Sequence, residues 1–110
     1  MPAVSNSSPL IALAAIGRLS LLPALFQSVL IPPAVAHETR RSIPVAPEWL
    51  QVQTLAGPLP ATVLRRSLGV SEQEAIALAM ELHAEAIVLD DLPARRVAQA
   101  SGLNVIDTVG

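Results

Sequence analysis

The chain has 110 residues, no cysteine and a formal net charge of −2. A chain of this length can bury a real core with little margin, so we expect one domain spanning residues 1–110. The lack of cysteine excludes disulfides and thiolate metal sites and is typical of a reducing cytoplasm, where we expect the protein to act. The negative net charge excludes a protein that binds nucleic acid through an overall basic surface. The two aromatic residues, Phe26 and Trp49, are too few to form a platform on which bases of single-stranded nucleic acid stack.

The apolar residues 9–31 form the one stretch that could suggest a membrane span. Gly17, Arg18 and Pro23 interrupt it, and the chain start lacks the basic residues of a signal peptide. We therefore expect two buried helices here and no membrane association.

The first half of the chain alternates short apolar runs with helix signals. Asn6 and two serines before Pro9 are typical of a helix start, and Gly17 is typical of a helix end. The predicted elements are a strand at 2–5, helices at 10–16 and 20–26, a buried strand at 29–31, a helix at 34–41 and an edge strand at 49–55.

The second half continues this alternation. Ser71 and Glu74 have the S-x-x-E spacing of a capping box, which predicts a helix start. The predicted elements are a helix at 61–68, the capped helix from Ser71, a buried strand at 86–89, a helix from Leu92 or Pro93 to about 100, and a strand at 103–106. This order predicts a three-layer α/β domain with a largely parallel sheet.

Most of the acidic residues have an ordinary structural explanation. The capping box accounts for Glu74, and Glu81 and Glu85 lie late in a helix or turn, where we expect them to be solvated. Asp91 could be the N-cap of the helix that follows it, and Glu72 could favour the positive end of its own helix.

Several polar residues nevertheless follow predicted strands. Asn6 ends the first strand, Asp90 and Asp91 end the strand at 86–89, and Glu38 lies in the helix after the second strand. In a parallel sheet these positions share one edge, so the residues can converge. From spacing alone we expect Glu72 at the opposite edge, because its helix precedes a strand. Clustered carboxylates would suit Mg²⁺ or Mn²⁺ and phosphoryl chemistry.

Three motifs in this order resemble PIN-domain proteins, in a branch close to the toxin ribonucleases of bacterial toxin–antitoxin pairs. The motifs are VSNSSPLIALAAIGRLSLL, VLIPPAVAHE and SEQEAIALAMELHAEAIVLDDLPARRVAQASGLNVI. The resemblance covers nearly the whole chain. It implies a Rossmann-like α/β/α fold and RNA cleavage by metal-activated water.

The resemblance also implies a site. Its metal ligands would be Asn6, Glu38, Glu72 and either Asp90 or Asp91, with Asp91 the better match, and Glu38, Glu72 and Asp91 would be catalytic. Glu74 is a poorer match than Glu72 for the acid that opens the long helix. The implied cofactor is Mg²⁺ or Mn²⁺, and the implied partners are an RNA substrate and a cognate antitoxin protein.

The chain departs from the family pattern at two points. Asn6 replaces an aspartate, and a neutral carbonyl oxygen is a weaker Mg²⁺ ligand, which favours an alternative: a catalytically impaired domain that binds RNA or protein. Relatives continue beyond the position of Gly110 for one or two helices, so apolar surface would need covering by a second copy in a homodimer. A third reading, a nucleotide-binding module, lacks the expected Gly-rich phosphate loop.

Overall fold

The computed structural model describes residues 2–108, and its centre is a sheet of five strands in the order β3-β2-β1-β4-β5. Every neighbouring pair of strands is parallel. The strands are β1 (Ala3–Ser5), β2 (Val29–Ile31), β3 (Leu50–Val52), β4 (Ala86–Val88) and β5 (Val105–Ile106). The predicted strands are confirmed in place and order, and the structure makes each of them shorter or equal in length.

Five α-helices connect the strands, together with one turn of 3₁₀ helix at Ala61–Val63. The helices are α1 (Ser7–Ala15), α2 (Leu21–Leu25), α3 (Pro33–Thr39), α4 (Val70–Leu82) and α5 (Leu92–Ala100). Gly17 adopts the left-handed conformation, with φ of 68°, directly after the C-cap of α1. This is the helix end that the sequence predicts, because glycine has no Cβ to oppose a positive φ.

The helices form layers on both faces of the sheet. Side chains alternate between the two faces along each strand, and the register of the strands then gives the side chains that share one face. These are Ala3, Ile31, Val52, Val88 and Ile106. Helices α1 and α2 line a cavity with Val88 and Ile106, and α3 lines another with Ile31 and Val52. The connections through α4 and α5 run along the sheet in the opposite direction, and α4 packs against β1 and β4 as well as against α3. The predicted three-layer α/β/α fold is confirmed.

Helix α4 is the most deeply buried helix of the fold. Its five consecutive residues 75–79 are all buried, and Ile76 and Leu78 have no exposed surface. It packs against α3, β1 and β4. A surface helix would show a polar stripe along this length, so α4 acts as a core element between its neighbours.

The segment at 61–68 differs from its prediction. Only the 3₁₀ turn at Ala61–Val63 is helical, and the chain then turns, with Leu68 N–H donating to Arg65 O. Val63 and Leu68 are both buried, and residues five apart point to different sides of an α-helix. A turn can bury both side chains, so it replaces the helix.

In the described part of the chain, no helix combines the length and apolar character that crossing a bilayer requires. The expectation that C-terminal helices are missing stays a prediction, and Gly110 lies outside the described residues.

Candidate active site

The ends of β1 and β4 lie side by side at the carboxyl edge of the sheet. Ser5 pairs with Val88 in register, and the Asn6 N–H donates to Val88 O at 3.1 Å. Asn6 therefore lies beside the segment that leads from β4 to Asp90 and Asp91. This is the edge at which ligands bind in parallel α/β sheets.

Asn6 is buried, and its side-chain oxygen is not satisfied within the protein. The residue is 2% exposed, and Oδ1 has no hydrogen-bond partner among the described residues. Asn6 occupies the N-cap position of α1, but its side chain does not cap that helix. A buried acceptor without a partner costs about 1–3 kcal/mol, so the site contains an oxygen that a ligand could use.

Glu38 is held by a serine of the first helix turn. Ser7 Oγ donates to Glu38 Oε1 at 2.5 Å, and Ser7 is 4% exposed. The neighbouring Ser8 is exposed. Ser7 is therefore the residue that orients Glu38, and no periodicity in the sequence distinguishes it from its neighbour.

Glu72, and not Glu74, makes the capping contact at the start of α4. The N-cap is Gly69, two residues before the predicted N-cap Ser71. The Gly69 N–H donates to Glu72 Oε1 at 2.8 Å, which is the carboxylate half of a capping box; glycine has no side chain to supply the other half. Glu74 instead accepts from Ala34 N–H at 3.1 Å, at the start of α3. The assignment of the cap to Glu74 is wrong.

The carboxyl group of Glu72 lies beside two other carboxyl groups. Burial raises the pKa of Glu72, and the Gly69 N–H opposes this rise. Asp91, which is within hydrogen-bonding reach, and the charge of Glu38 raise the pKa further. Glu72 therefore lies near Asp91 and within the electrostatic reach of Glu38.

The expectation that Glu72 lies at the opposite edge is wrong. Helix α4 ends only three residues before β4 begins, at the edge where parallel strands start. A helix that runs antiparallel to the strand it precedes must begin at the carboxyl edge. The contact of Glu74 with the start of α3 fixes α4 in that position.

The family model of the PIN domain matches residues 2–110. The chain belongs to the PIN-domain family. A PilT N-terminus domain protein from the hyperthermophilic archaeon Sulfolobus solfataricus P2 has a similar structure, with a TM-score of 0.71 and 21% sequence identity. The match covers 97% of this chain and 87% of that chain, and at this identity it supports the fold alone. No curated protein matches the chain.

The two aspartates after β4 of the PIN domain have separate contacts. Asp91 is the N-cap of α5, and its Oδ2 accepts from Ala94 N–H at 3.3 Å. Asp90 accepts from the Thr108 N–H at 2.9 Å and from its hydroxyl at 2.8 Å. Asp90 therefore anchors the chain after β5, and Asp91 is the aspartate beside Glu72.

Metal-binding geometry is incomplete at this edge. Within residues 2–108, no three Asp, Glu or His side chains form a group that could hold a metal ion. Protein hydrogen bonds engage each candidate carboxylate, those of Glu38, Glu72 and Asp91. Adding the free Asn6 Oδ1 gives a set of oxygen donors, which suits a hard divalent cation of the kind that PIN domains typically use.

The histidines lie outside this group. His37 Nδ1 is 2.9 Å from Arg40 Nη2, and His83 forms the C-cap of α4 at the far end of that helix. Glu81, which we expected to be solvated, accepts from Ala56 N–H at 2.8 Å and Gly57 N–H at 3.1 Å. Glu81 is exposed, as expected, and its carboxylate also holds the segment after β3.

Proposed function

We propose that this PIN domain is a divalent-metal-dependent endoribonuclease and the toxin half of a toxin–antitoxin pair. One observation supports the proposal: Glu72 has the carboxylates of Asp91 and Glu38 as electrostatic neighbours. Glu38 in turn accepts from Ser7, which follows Asn6, and the buried Oδ1 of Asn6 has no partner among the described residues. Membership of a family with a nuclease-type fold supports hydrolysis of a phosphodiester, and acids at this edge are suited to it.

Asn6, Glu38, Glu72 and Asp91 would hold the cation. When bound, Mg²⁺ or Mn²⁺ supplies activation of water and neutralises charge that develops on the phosphate and the departing oxygen. The remaining work belongs to the protein, and it consists of positioning these four groups and balancing their charges.

The side chains are positioned by short-range hydrogen bonds. Ser7 fixes the orientation of Glu38, the Gly69 N–H fixes Glu72, and capping of α5 fixes Asp91. Without a cation, burial and the neighbouring carboxylates raise the pKa of Glu72, because they disfavour its charge. A bound cation would oppose this rise, so binding and loss of the proton from Glu72 would be coupled.

The test is cleavage of a mixed RNA pool in millimolar Mn²⁺. We expect Glu72→Gln and Asp91→Asn each to lower the cleavage rate about 100-fold or more, since each removes a charge that the cation needs. Both variants should stay folded, because an amide oxygen can accept from Gly69 N–H and asparagine is a good N-cap. Circular dichroism checks that they do.

Two results would reject the proposal. Folded wild-type protein that cleaves no RNA with Mn²⁺ or Mg²⁺ would reject the nuclease. Mn²⁺-dependent cleavage that survives both substitutions would reject the site.

The second candidate is a catalytically impaired PIN domain that binds RNA or protein. The neutral Asn6 and the lack of a complete cluster of acidic ligands favour it. It predicts RNA binding without cleavage and gain of Mn²⁺ affinity on Asn6→Asp. Isothermal titration with Mn²⁺ and gel-shift with RNA separate this candidate from the first.

The toxin role and the homodimer need their own tests. Ile16, Leu21 and Leu25, on and beside α1 and α2, are 68%, 48% and 69% exposed, and such apolar groups support contact with a second copy. Light scattering should then give a dimer mass. Expression in bacterial cytoplasm should arrest growth, Glu72→Gln should relieve the arrest, and a cognate antitoxin should co-purify with both proteins.

A further inference from the structure

The arginine loop, which we define as residues 64–69, precedes α4 and contains the adjacent pair Arg65 and Arg66. Both arginines are exposed. The sequence leaves the role of such pairs open, because arginines at solvated helix ends and arginines that bind phosphate look alike. The structure removes the first explanation here, since this segment is a turn and not the end of an α-helix.

The first turn of α4 fixes the arginine loop in place. Gln73 Nε2 donates to Arg65 O at 3.5 Å and to Leu68 O at 3.4 Å. The Gly69 N–H donates to Glu72, and the Leu68 side chain is 5% exposed. The loop is therefore attached to the same turn of helix that carries Glu72.

The two guanidinium groups are available to a ligand. Arg65 Nε donates to Thr62 O at 3.1 Å, which orients the side chain and leaves its terminal nitrogens for other partners. Among the described residues the recorded ion pair joins Arg95 and Asp107, so neither Arg65 nor Arg66 is neutralised by a carboxylate. Exposed, unpaired arginines are well suited to bidentate contact with phosphate.

The chain keeps these arginines near the start of α4. Two residues lie between Arg66 and Gly69, so their Cα atoms are at most about 11 Å apart. Carboxylates at the site would repel an RNA strand, and the chain as a whole is slightly acidic. Local positive charge at the rim is what an acidic pocket needs in order to attract a polyanion.

We propose that Arg65 and Arg66 bind backbone phosphates of the RNA strand next to the bond that is cleaved, with Gln73 positioning the loop. This inference rests on the proposed function, since it supplies that site with its substrate contacts. The arginines are positioning residues, because they hold phosphates that do not react.

The experiment measures binding and cleavage separately. Binding of a labelled single-stranded RNA is measured by fluorescence anisotropy in EDTA, at several salt concentrations, and cleavage is measured with Mn²⁺. Arg66→Gln is compared with Arg18→Gln, which removes the same charge from an exposed position after α1. The double variant of Arg65→Gln with Arg66→Gln removes the whole pair.

We expect Arg66→Gln to raise Kd about 5-fold or more at low salt and Arg18→Gln to change it less than 2-fold. The double variant should lower the slope of log K against log salt by about 1.4, because each phosphate contact on a single strand contributes about 0.7. KM should rise with kcat nearly unchanged. Gln73→Met, which removes no charge, should raise KM while leaving the salt slope within about 0.3 of wild type.

The outcomes separate this inference from the proposed function. If wild-type protein cleaves RNA and Arg66→Gln behaves like Arg18→Gln, the inference is overturned and the nuclease stands. If RNA binding depends on the arginine loop but nothing is cleaved, the inference holds and the nuclease fails. If the arginine variants lose binding to a poly-glutamate peptide but bind RNA normally, the loop serves an acidic protein partner and the inference is overturned.

Discussion

Asn6 and Asp91 follow the ends of neighbouring strands and occupy the same position, the N-cap of the next helix, but their side chains make different contacts. Asp91 caps α5 through Ala94 N–H, whereas Asn6 leaves α1 uncapped and its buried Oδ1 unpartnered. Asparagine is as good an N-cap as aspartate, so the residue type does not explain the difference. The carboxylate at the end of β4 has a hydrogen-bond partner within the protein, and the amide oxygen at the end of β1 has none among the described residues.

The largest change in stability should come from a substitution that adds a negative charge at the end of β1, where Asn6 is neutral. In EDTA, Asn6→Asp should lower the free energy of unfolding by about 2 kcal/mol, because it adds a buried carboxylate beside others. For a domain of this size that lowers Tm by roughly 10 °C. Thermal denaturation followed by circular dichroism measures the change.

Mn²⁺ should restore most of this loss, because a cation that binds only the folded state stabilises it. Gln53→Glu, which adds the same charge at an exposed position, should have almost no effect with or without Mn²⁺. An Asn6→Asp protein that Mn²⁺ does not stabilise would place residue 6 away from the cation.

Substitution of each N-cap residue by alanine should change the free energy of unfolding by a smaller amount, and the two changes can be compared directly. Asp91→Ala should cost about 1 kcal/mol, since the Ala94 N–H loses its acceptor. Asn6→Ala should change the free energy of unfolding by less than about 0.5 kcal/mol, because no cap is lost and an unsatisfied acceptor is removed. Urea denaturation of both variants measures the difference. Equal losses of unfolding free energy would contradict the claim that Asp91 caps its helix and Asn6 does not.

The smallest effect should be on the pH dependence of stability. The folded-state pKa of Glu72 is raised above its ordinary value of 4.5, so the folded chain holds this proton more tightly than the unfolded chain. The stabilisation is complete below the unfolded-state pKa and is lost as pH rises through the folded-state pKa. In EDTA, Glu72→Gln should therefore be slightly more stable than wild type at pH 7.

Solvent screening keeps this effect small, because the Glu72 side chain is only partly buried. Tm measured from pH 4 to pH 7 should fall for wild type and fall less for Glu72→Gln. Glu85→Gln, exposed near the other end of α4, serves as the matched control and should follow the wild-type curve. A wild-type Tm that has the same dependence on pH as that of Glu72→Gln would contradict the raised pKa.

Local sequence signals predicted the elements of the fold because each signal acts within a few residues. Gly17 ended α1, and Asp91 capped α5, as their neighbours in sequence imply. The segment at 61–68 was mispredicted because burial of Val63 and Leu68 is decided by contacts with the rest of the domain. Short-range propensity carries no information about such contacts.

The candidate site could be predicted only in part, for the same reason. Strand ends pointed to Asn6, Glu38 and Asp91, but which of Glu72 and Glu74 makes the capping contact depends on a shift of two residues in where α4 begins. Which serine meets Glu38 likewise depends on how α1 and α3 face each other across 31 residues of sequence. Spacing could not decide either question.

The glutamates of α4 have a consequence for how the domain opens. Glu72, Glu74 and Glu81 accept the amide protons of Gly69, Ala34, and the pair Ala56 and Gly57. Gly69 is the N-cap of α4 and its carbonyl accepts from Gln73 N–H, whereas Ala34 and the pair Ala56 and Gly57 belong to two segments distant in sequence. Loosening of α4 would release both segments at once, so the hydrogen-exchange rates of these amides are tied to one cooperative opening and not to local fraying.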